Sequence, residues 1–101
     1  MGDRKIPLTA SLYSPDGEVE EVSPKNGSVF TLKELRTLVD GDIELVVIKD
    51  SFDIIVCNED AKREGLLYNE LATNTFISQT FLRPTDYFVG NILVCNRNMI
   101  K

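Results

Sequence analysis

The order of hydrophobic and polar positions divides the chain into segments with different periods. Ile6 to Tyr13 alternates apolar and small polar residues, and Glu18 to Val22 alternates again. Between them, Ser14-Pro15-Asp16-Gly17 supplies the proline and glycine of a tight turn, so the pair is predicted to form a hairpin. Three carboxylates on its second strand, Glu18, Glu20 and Glu21, suit an exposed sheet edge, where charge discourages pairing with another chain. A metal site is the sharper alternative for the same acids. Ser23 to Ser28 has no apolar period and contains Pro24 and Asn26-Gly27, which makes it a loop.

The period then becomes helical. Thr31 reads as the N-cap, Glu34 completes a capping box three residues on, and Phe30 is placed to staple onto Leu35. Leu32, Leu35, Leu38 and Val39 share one face. Gly41 offers the left-handed residue that would end the helix near Val39 or Asp40.

Ile43–Ile48 and Phe52–Cys57 are β-branched runs separated by Lys49-Asp50-Ser51, which predicts a second hairpin at the centre of the sheet, with Asp53 at a strand mouth or on the solvent face. Asn58 to Gly65 is a charged connector. Leu66–Phe76 can hold a short helix, Ile77–Leu82 reads as a short strand, Arg83–Asp86 as a turn, and Tyr87–Cys95 as the last strand with a bend or bulge at Gly90. The expected fold is a single α+β domain over residues 1–101. It consists of a mainly antiparallel sheet of about five strands, two hairpins plus a C-terminal strand, packed on one short, well-capped helix, with room for a second short helix.

Composition narrows the functional classes. The 101 residues are 43% hydrophobic and 27% charged, with a net charge of -5, an ordinary globular balance that calls for no cofactor. That net charge disfavours nucleic-acid polymers, whose binding rests on clustered lysine and arginine. No apolar run approaches the roughly 20 residues needed to cross a bilayer, and Met1–Pro7 carries no export signal, so no membrane association and a cytoplasmic location are expected. Cys57 and Cys95 each close an apolar run and read as buried thiols, with a disulfide as the lesser alternative. Histidine is absent from the sequence, which removes the usual proton-transfer group and the usual partner of a catalytic cysteine. Asp40 with Asp42, and Glu59 with Asp60, lack the spacing of a dedicated metal loop, and no glycine-rich phosphate loop is present. Neither a catalytic nor a metal site is expected.

Three stretches carry a resemblance. P-K-N-G-S-V-F-T-L-K-E-L-R-T-L-V-D-G-D-I-E-L-V from Pro24 to Val46, V-C-N-E-D-A-K-R-E-G-L-L-Y-N-E-L-A-T from Val56 to Thr73, and D-Y-F-V-G-N-I-L-V-C from Asp86 to Cys95 together resemble the domain of unknown function 3846 family. The resemblance implies a small protein of a bacteriophage or mobile element, working in the cytoplasm of a bacterial host, and carries no established activity.

The polar residues within these stretches admit two readings. Asn58, Asn69, Gly90 and Asn91 can serve as caps, turns and a bulge. Alternatively, they converge with their neighbours at one end of the sheet as a ligand site. In that case Asn58, Asn69 and Asn91 would contact a base or ribose, Lys62, Arg63 or Arg83 a phosphate, and Tyr68 or Tyr87 would stack, with Glu59 and Asp86 completing the set. Two non-enzymatic functions follow as expectations. One is sequestration of a small nucleotide-like signal, with an anti-defence role. The other is an acidic interaction module or decoy that engages a host protein through the Glu18–Val22 edge and the acidic loops. A homo-oligomer formed through an exposed edge strand fits either.

Overall fold

The computed structural model describes residues 9–100, so the Met1–Pro7 reading and the Ile6–Leu8 part of the expected first strand lie outside the described residues. Five strands, β1 (Ala10–Tyr13), β2 (Val19–Val22), β3 (Ile43–Val47), β4 (Asp53–Asn58) and β5 (Ile92–Asn96), form one antiparallel sheet in the order β2-β1-β5-β4-β3. Helices α1 (Leu32–Val39) and α2 (Glu70–Phe76) complete the α+β architecture.

The apolar runs of β4 and β5 have a direct structural cause, because both strands are covered on both faces. Ile54 and Val56 of β4, with Leu93 and Cys95 of β5, join Leu35 and Val39 of α1 in one core. Ile55, Cys57 and Ile92 point the other way, into a second core with Ala72 and Phe76 of α2, Ile77 and Phe88. A strand buried on two faces has no solvent side for polar residues, so alternation is replaced by a continuous run. The two cysteines fall in different cores, on opposite faces of the sheet, and both are free thiols.

The second hairpin forms as expected, but not at the centre. β5 is the central strand, flanked by β1 and β4, while β3 is an edge. The exposed Asp53 stands at the mouth of β4, opposite Asn96.

The start of α1 follows the sequence closely. Thr31 Oγ1 accepts from the Glu34 amide at 3.1 Å, and the Glu34 carboxylate accepts from the Thr31 amide at 2.8 Å and from the Lys25 amide at 2.9 Å. Phe30 and Leu35 lie in the same core, as the staple requires. Leu32 instead is half exposed. The helix terminus differs from expectation in mechanism: Asp40, not Gly41, takes the left-handed conformation, at φ 63°. Gly41 serves a different need. A Cβ there would stand 2.7 Å from Nδ2 of Asn58.

Beyond β4 the boundaries shift. Ile77–Leu82 is not a strand: Ile77–Gln79 is a single 3-10 turn continuing α2, followed by a lone bridge between Thr80 and Ile48. The last strand is shorter than Tyr87–Cys95, because Gly90 at φ 76° breaks it. Residues before that break pair elsewhere, with Asn69 N donating to Phe88 O and Gly90 N to Leu67 O. A Cβ at position 90 would approach Leu66 Cδ1 to 2.8 Å, which a shift of that side-chain end relieves, so the positive φ is the main reason for glycine. The chain then adds a 3-10 turn, Arg97–Met99, whose buried Met99 carbonyl accepts from Phe30 N at 2.8 Å and ties the C-terminal segment to the start of α1.

Loss of the cap is expected to weaken the whole domain. Thr31→Ala should cost about 1 kcal/mol, read as a fall in melting temperature of about 4–8 °C. Glu34 adds a pH dependence, since the Thr31 amide first, and the Lys25 amide second, hold its carboxyl below the ordinary 4.5. A carboxyl depressed in the folded state stabilises fully above its unfolded value and loses that contribution as pH falls through the folded one. Melting curves taken from neutral pH down through the carboxylate range should therefore decline less steeply for Glu34→Gln than for the unaltered protein.

Candidate functional site

The connector after β4 and the segment before β5 face each other across a cleft of about 360 Å³. Its floor is the second core's side of the sheet, through Val46 and Cys57, and its walls include Glu44, Glu59, Asp60, Lys62, Arg63, Asp86, Tyr87 and Phe88. Tight local turns place the connector: Glu64 N donates to Asp60 O, Gly65 N to Lys62 O, and Leu66 N to Ala61 O. These bonds project Lys62 and Arg63 from a compact loop.

Lys62 makes the most specific contacts. Its ammonium lies 2.5 Å from Asp86 Oδ1 and 4.2 Å from the centre of the Tyr87 ring. Asp86 also accepts from the Tyr87 amide at 2.8 Å. The Lys62 hydrogen bond, followed by that amide, holds the Asp86 carboxyl below its ordinary value. Tyr87 in turn meets Tyr68 edge to face, with ring centres 5.9 Å apart. Carboxylate and aromatic ring together form a seat for a cation, which the chain fills with its own lysine. Arg63 pairs with Asp60 at 2.5 Å.

The asparagines have other duties. Asn58 is buried; its amide donates to the Val39 and Asp40 carbonyls at 3.3 and 3.2 Å and to Glu64 Oε1 at 3.0 Å, while its oxygen accepts from the Asp60 amide. It closes the C-terminal end of α1 from the end of β4, and this contact is what excludes a Cβ at Gly41. Asn69 is fully buried as the N-cap of α2, accepting from Ala72 N and donating to the Tyr13 and Gly90 carbonyls. Asn91 donates to Leu38 O at 3.1 Å. The amide groups of Asn58 and Asn69 are consumed by the backbone, so these residues build the scaffold rather than offer base or ribose contacts.

Of the ten residues anticipated, Asn58, Glu59, Lys62, Arg63, Asp86 and Tyr87 line the cleft. Tyr68 borders an adjoining shallow hollow that shares Asp86 and Tyr87. Arg83 stands outside the cleft lining, its carbonyl accepting from Asp86 N, and its charge also helps to lower the Asp86 pKa. Asn69 and Asn91 lie elsewhere. Glu44 and Asp60 were missed as site residues, although Glu44, the one charged side chain in β3, is a legible signal.

Four carboxylates, Glu44, Glu59, Asp60 and Asp86, thus face two cations, Lys62 and Arg63, and both cations are already paired. Glu44 and Glu59 make no ion pair among the described residues. No group of three or more histidine, cysteine, aspartate or glutamate side chains converges to hold a metal among the described residues. Among those residues, no helix is long and apolar enough to cross a membrane. Burial pushes the Cys57 thiol up to about 12 and the Cys95 thiol up to about 11, so neither is a thiolate at neutral pH.

The molecule is thus a five-stranded antiparallel α+β protein with an acidic cleft beside one sheet edge. Residues 8–99 match the family model described as a domain of unknown function (DUF3846), and the chain belongs to that family. No curated protein and no solved structure matches the chain.

The scaffold role of Asn69 has a sharp test. Asn69→Ala should cost about 2–4 kcal/mol through the lost cap and the stranded carbonyls. Asn69→Asp keeps the cap acceptor but turns a carboxylate on Tyr13 O and Gly90 O, so denaturant melts should show a loss of similar size. The thiols offer a second check: neither Cys57 nor Cys95 should react with a disulfide reagent at neutral pH until the protein is unfolded.

Proposed function

We propose that this protein is a non-enzymatic accessory protein of a phage or mobile element that works as an acidic interaction module, receiving a basic segment of a host protein in the cleft beside Lys62 and Tyr87. The observation that carries this reading is the seat made by Asp86 and Tyr87, which already holds an ammonium group, in a cleft it shares with Glu44 and Glu59, which make no ion pair among the described residues. A lysine or arginine from a partner finds there the same carboxylate and ring, with further negative charge in the same cleft. The binding role draws on the buried, protonated thiols, which are unsuited to nucleophilic chemistry.

A small nucleotide-like ligand is the second reading. It is favoured by Arg63, whose side chain is 79% exposed and which lines the same cleft as Tyr87, so that a phosphate would replace Asp60 while the ring stacks. Against it stand the excess of carboxylates and the two asparagines whose amides are spent on the backbone.

A hexa-arginine peptide and a panel of linear and cyclic nucleotides separate the two. Titration calorimetry should show peptide binding that weakens with salt and falls by about two- to fivefold for each of Glu44→Gln and Glu59→Gln, as expected for exposed pairs worth up to about 1 kcal/mol. Charge reversal at Glu18, Glu20 and Glu21, on the far edge of the sheet, should leave that binding nearly unchanged. A nucleotide-induced rise in melting temperature with no peptide binding would transfer the site to the second reading.

A further inference from the structure

The face of the sheet opposite the cleft carries a groove of about 560 Å³. One wall is a single stripe along α1 and the residue that leads into it, Phe30, Lys33, Glu34, Thr37 and Leu38. Their i, i+3, i+4, i+7, i+8 spacing is that of neighbours on one helix face. The facing wall is the end of β2 and the loop after it, through Val22, Lys25 and Asn26. Phe30 belongs to the first core, and Val22 and Leu38 pack against that core, so the floor is apolar. Glu34 fixes the separation of the walls, because its carboxylate accepts from the Lys25 amide and ties the loop to the first turn of α1.

The charge of this groove is opposite in sign to that of the chain. Lys25 and Lys33 both line it, are exposed, and make no ion pair among the described residues. The one carboxylate among the described lining residues is that of Glu34. Its Oε1 accepts from the Thr31 amide at 2.8 Å and its Oε2 from the Lys25 amide at 2.9 Å. Asn26 Oδ1 is also taken, by the Ser28 and Val29 amides at 2.9 Å, so the group it has left to offer is its NH2 donor. Glu20 shares a face of β2 with Val22 by strand alternation but lies outside the lining. The rest of the net charge of -5 acts from farther away, and exposed charges beyond about 8 Å are largely screened at physiological salt.

We propose that this groove binds a small organic anion, a monocarboxylate with an apolar tail. The carboxylate lies between the ammonium groups of Lys25 and Lys33 at the first turn of α1, and the tail lies over Val22, Phe30 and Leu38. Lys33 and Leu38 are five residues apart, about 7.5 Å along the helix axis, which separates a charged end of the groove from an apolar end. Both ends select the ligand. A wholly apolar molecule would leave two lysines unused, and an inorganic anion would leave the floor bare. An apolar floor with a few placed polar groups, in a volume within about 300–1,000 Å³, is the usual form of a small-molecule site. The groove and the cation seat lie on opposite faces of the sheet, so their ligands have opposite charge and do not compete for space.

Octanoate is the probe. Acetate supplies the same head without the tail, and 1-octanol the same tail without the charge. Exposed ion pairs contribute little, so a dissociation constant of about millimolar order is expected, and amide chemical shifts of the full chain are the suitable readout. Octanoate should move signals around Val22–Asn26 and Phe30–Leu38 and leave those of Glu59–Arg63 and Asp86–Phe88 in place. Acetate and 1-octanol should each bind more weakly. Lys25→Gln and Lys33→Gln should each weaken octanoate by about two- to fivefold and leave 1-octanol and the melting temperature nearly unchanged. Absence of shifts at the groove up to the solubility limit of octanoate would overturn the proposal. So would equal affinity for 1-octanol, or full octanoate affinity in the Lys25→Gln, Lys33→Gln double variant.

Discussion

The amide of Asn58 ties together the end of α1, the end of β4 and the connector that walls the cleft. It sits at the end of β4, beyond the last position where apolar burial on both faces is available, and reaches back to the terminal carbonyls of α1. Those carbonyls have no partner within the helix, and leaving them buried and unpaired costs about 1–3 kcal/mol each. Asn58 satisfies them, and its oxygen simultaneously fixes the first turn of the connector through Asp60 N. The same side chain therefore ends the helix, ends the strand and starts the wall of the cleft. Gly41 is the complementary condition, since only a residue without Cβ allows the amide to approach. Asn69 repeats the arrangement at the other helix, where it caps α2 and holds the Tyr13 and Gly90 carbonyls.

This explains how much of the fold was legible in the sequence. The α1 cap, the two hairpins and the double burial of β4 follow from local chemistry: Thr31 with Glu34, the Pro15–Gly17 turn and an unbroken apolar run each have one dominant physical outcome. The edge position of β3 was not legible, because Ile43–Val47 is as apolar as a central strand and only its neighbours determine the difference. The segment Ile77–Leu82 misled for a related reason. Its apolar residues satisfy burial equally well on a 3-10 turn, and α2 continues into that turn before any strand can begin. Gly90 was correctly read as an interruption, but the partner that exploits it, the Leu67–Asn69 segment, is distant in sequence.

The candidate site was half legible. Lys62 and Arg63 of the charged connector and Asp86 and Tyr87 of the segment before β5 line one cleft. The asparagines were ambiguous in principle: an asparagine that binds a base and one that binds a backbone carbonyl present the same letter, and only burial separates them. Glu44 reached the cleft through strand alternation alone, because it shares a face with Val46.

The self-occupied cation seat raises the question of whether a partner's basic group can compete. Lys62 is about half exposed, its side chain retaining 49% accessibility in the pair. An ion pair open to solvent is worth about 0–1 kcal/mol, and a cation over an exposed ring adds about 0.5–1 kcal/mol. Displacing Lys62 therefore lowers an incoming cation's affinity by about two- to thirtyfold. A basic segment also meets Glu44 and Glu59, which line the same cleft. A released Lys62, on its compact loop, remains free to engage a carboxylate of the partner. The internal pair thus keeps the seat ordered in the free protein at a cost small enough for one additional ion pair and its neighbouring contacts to offset.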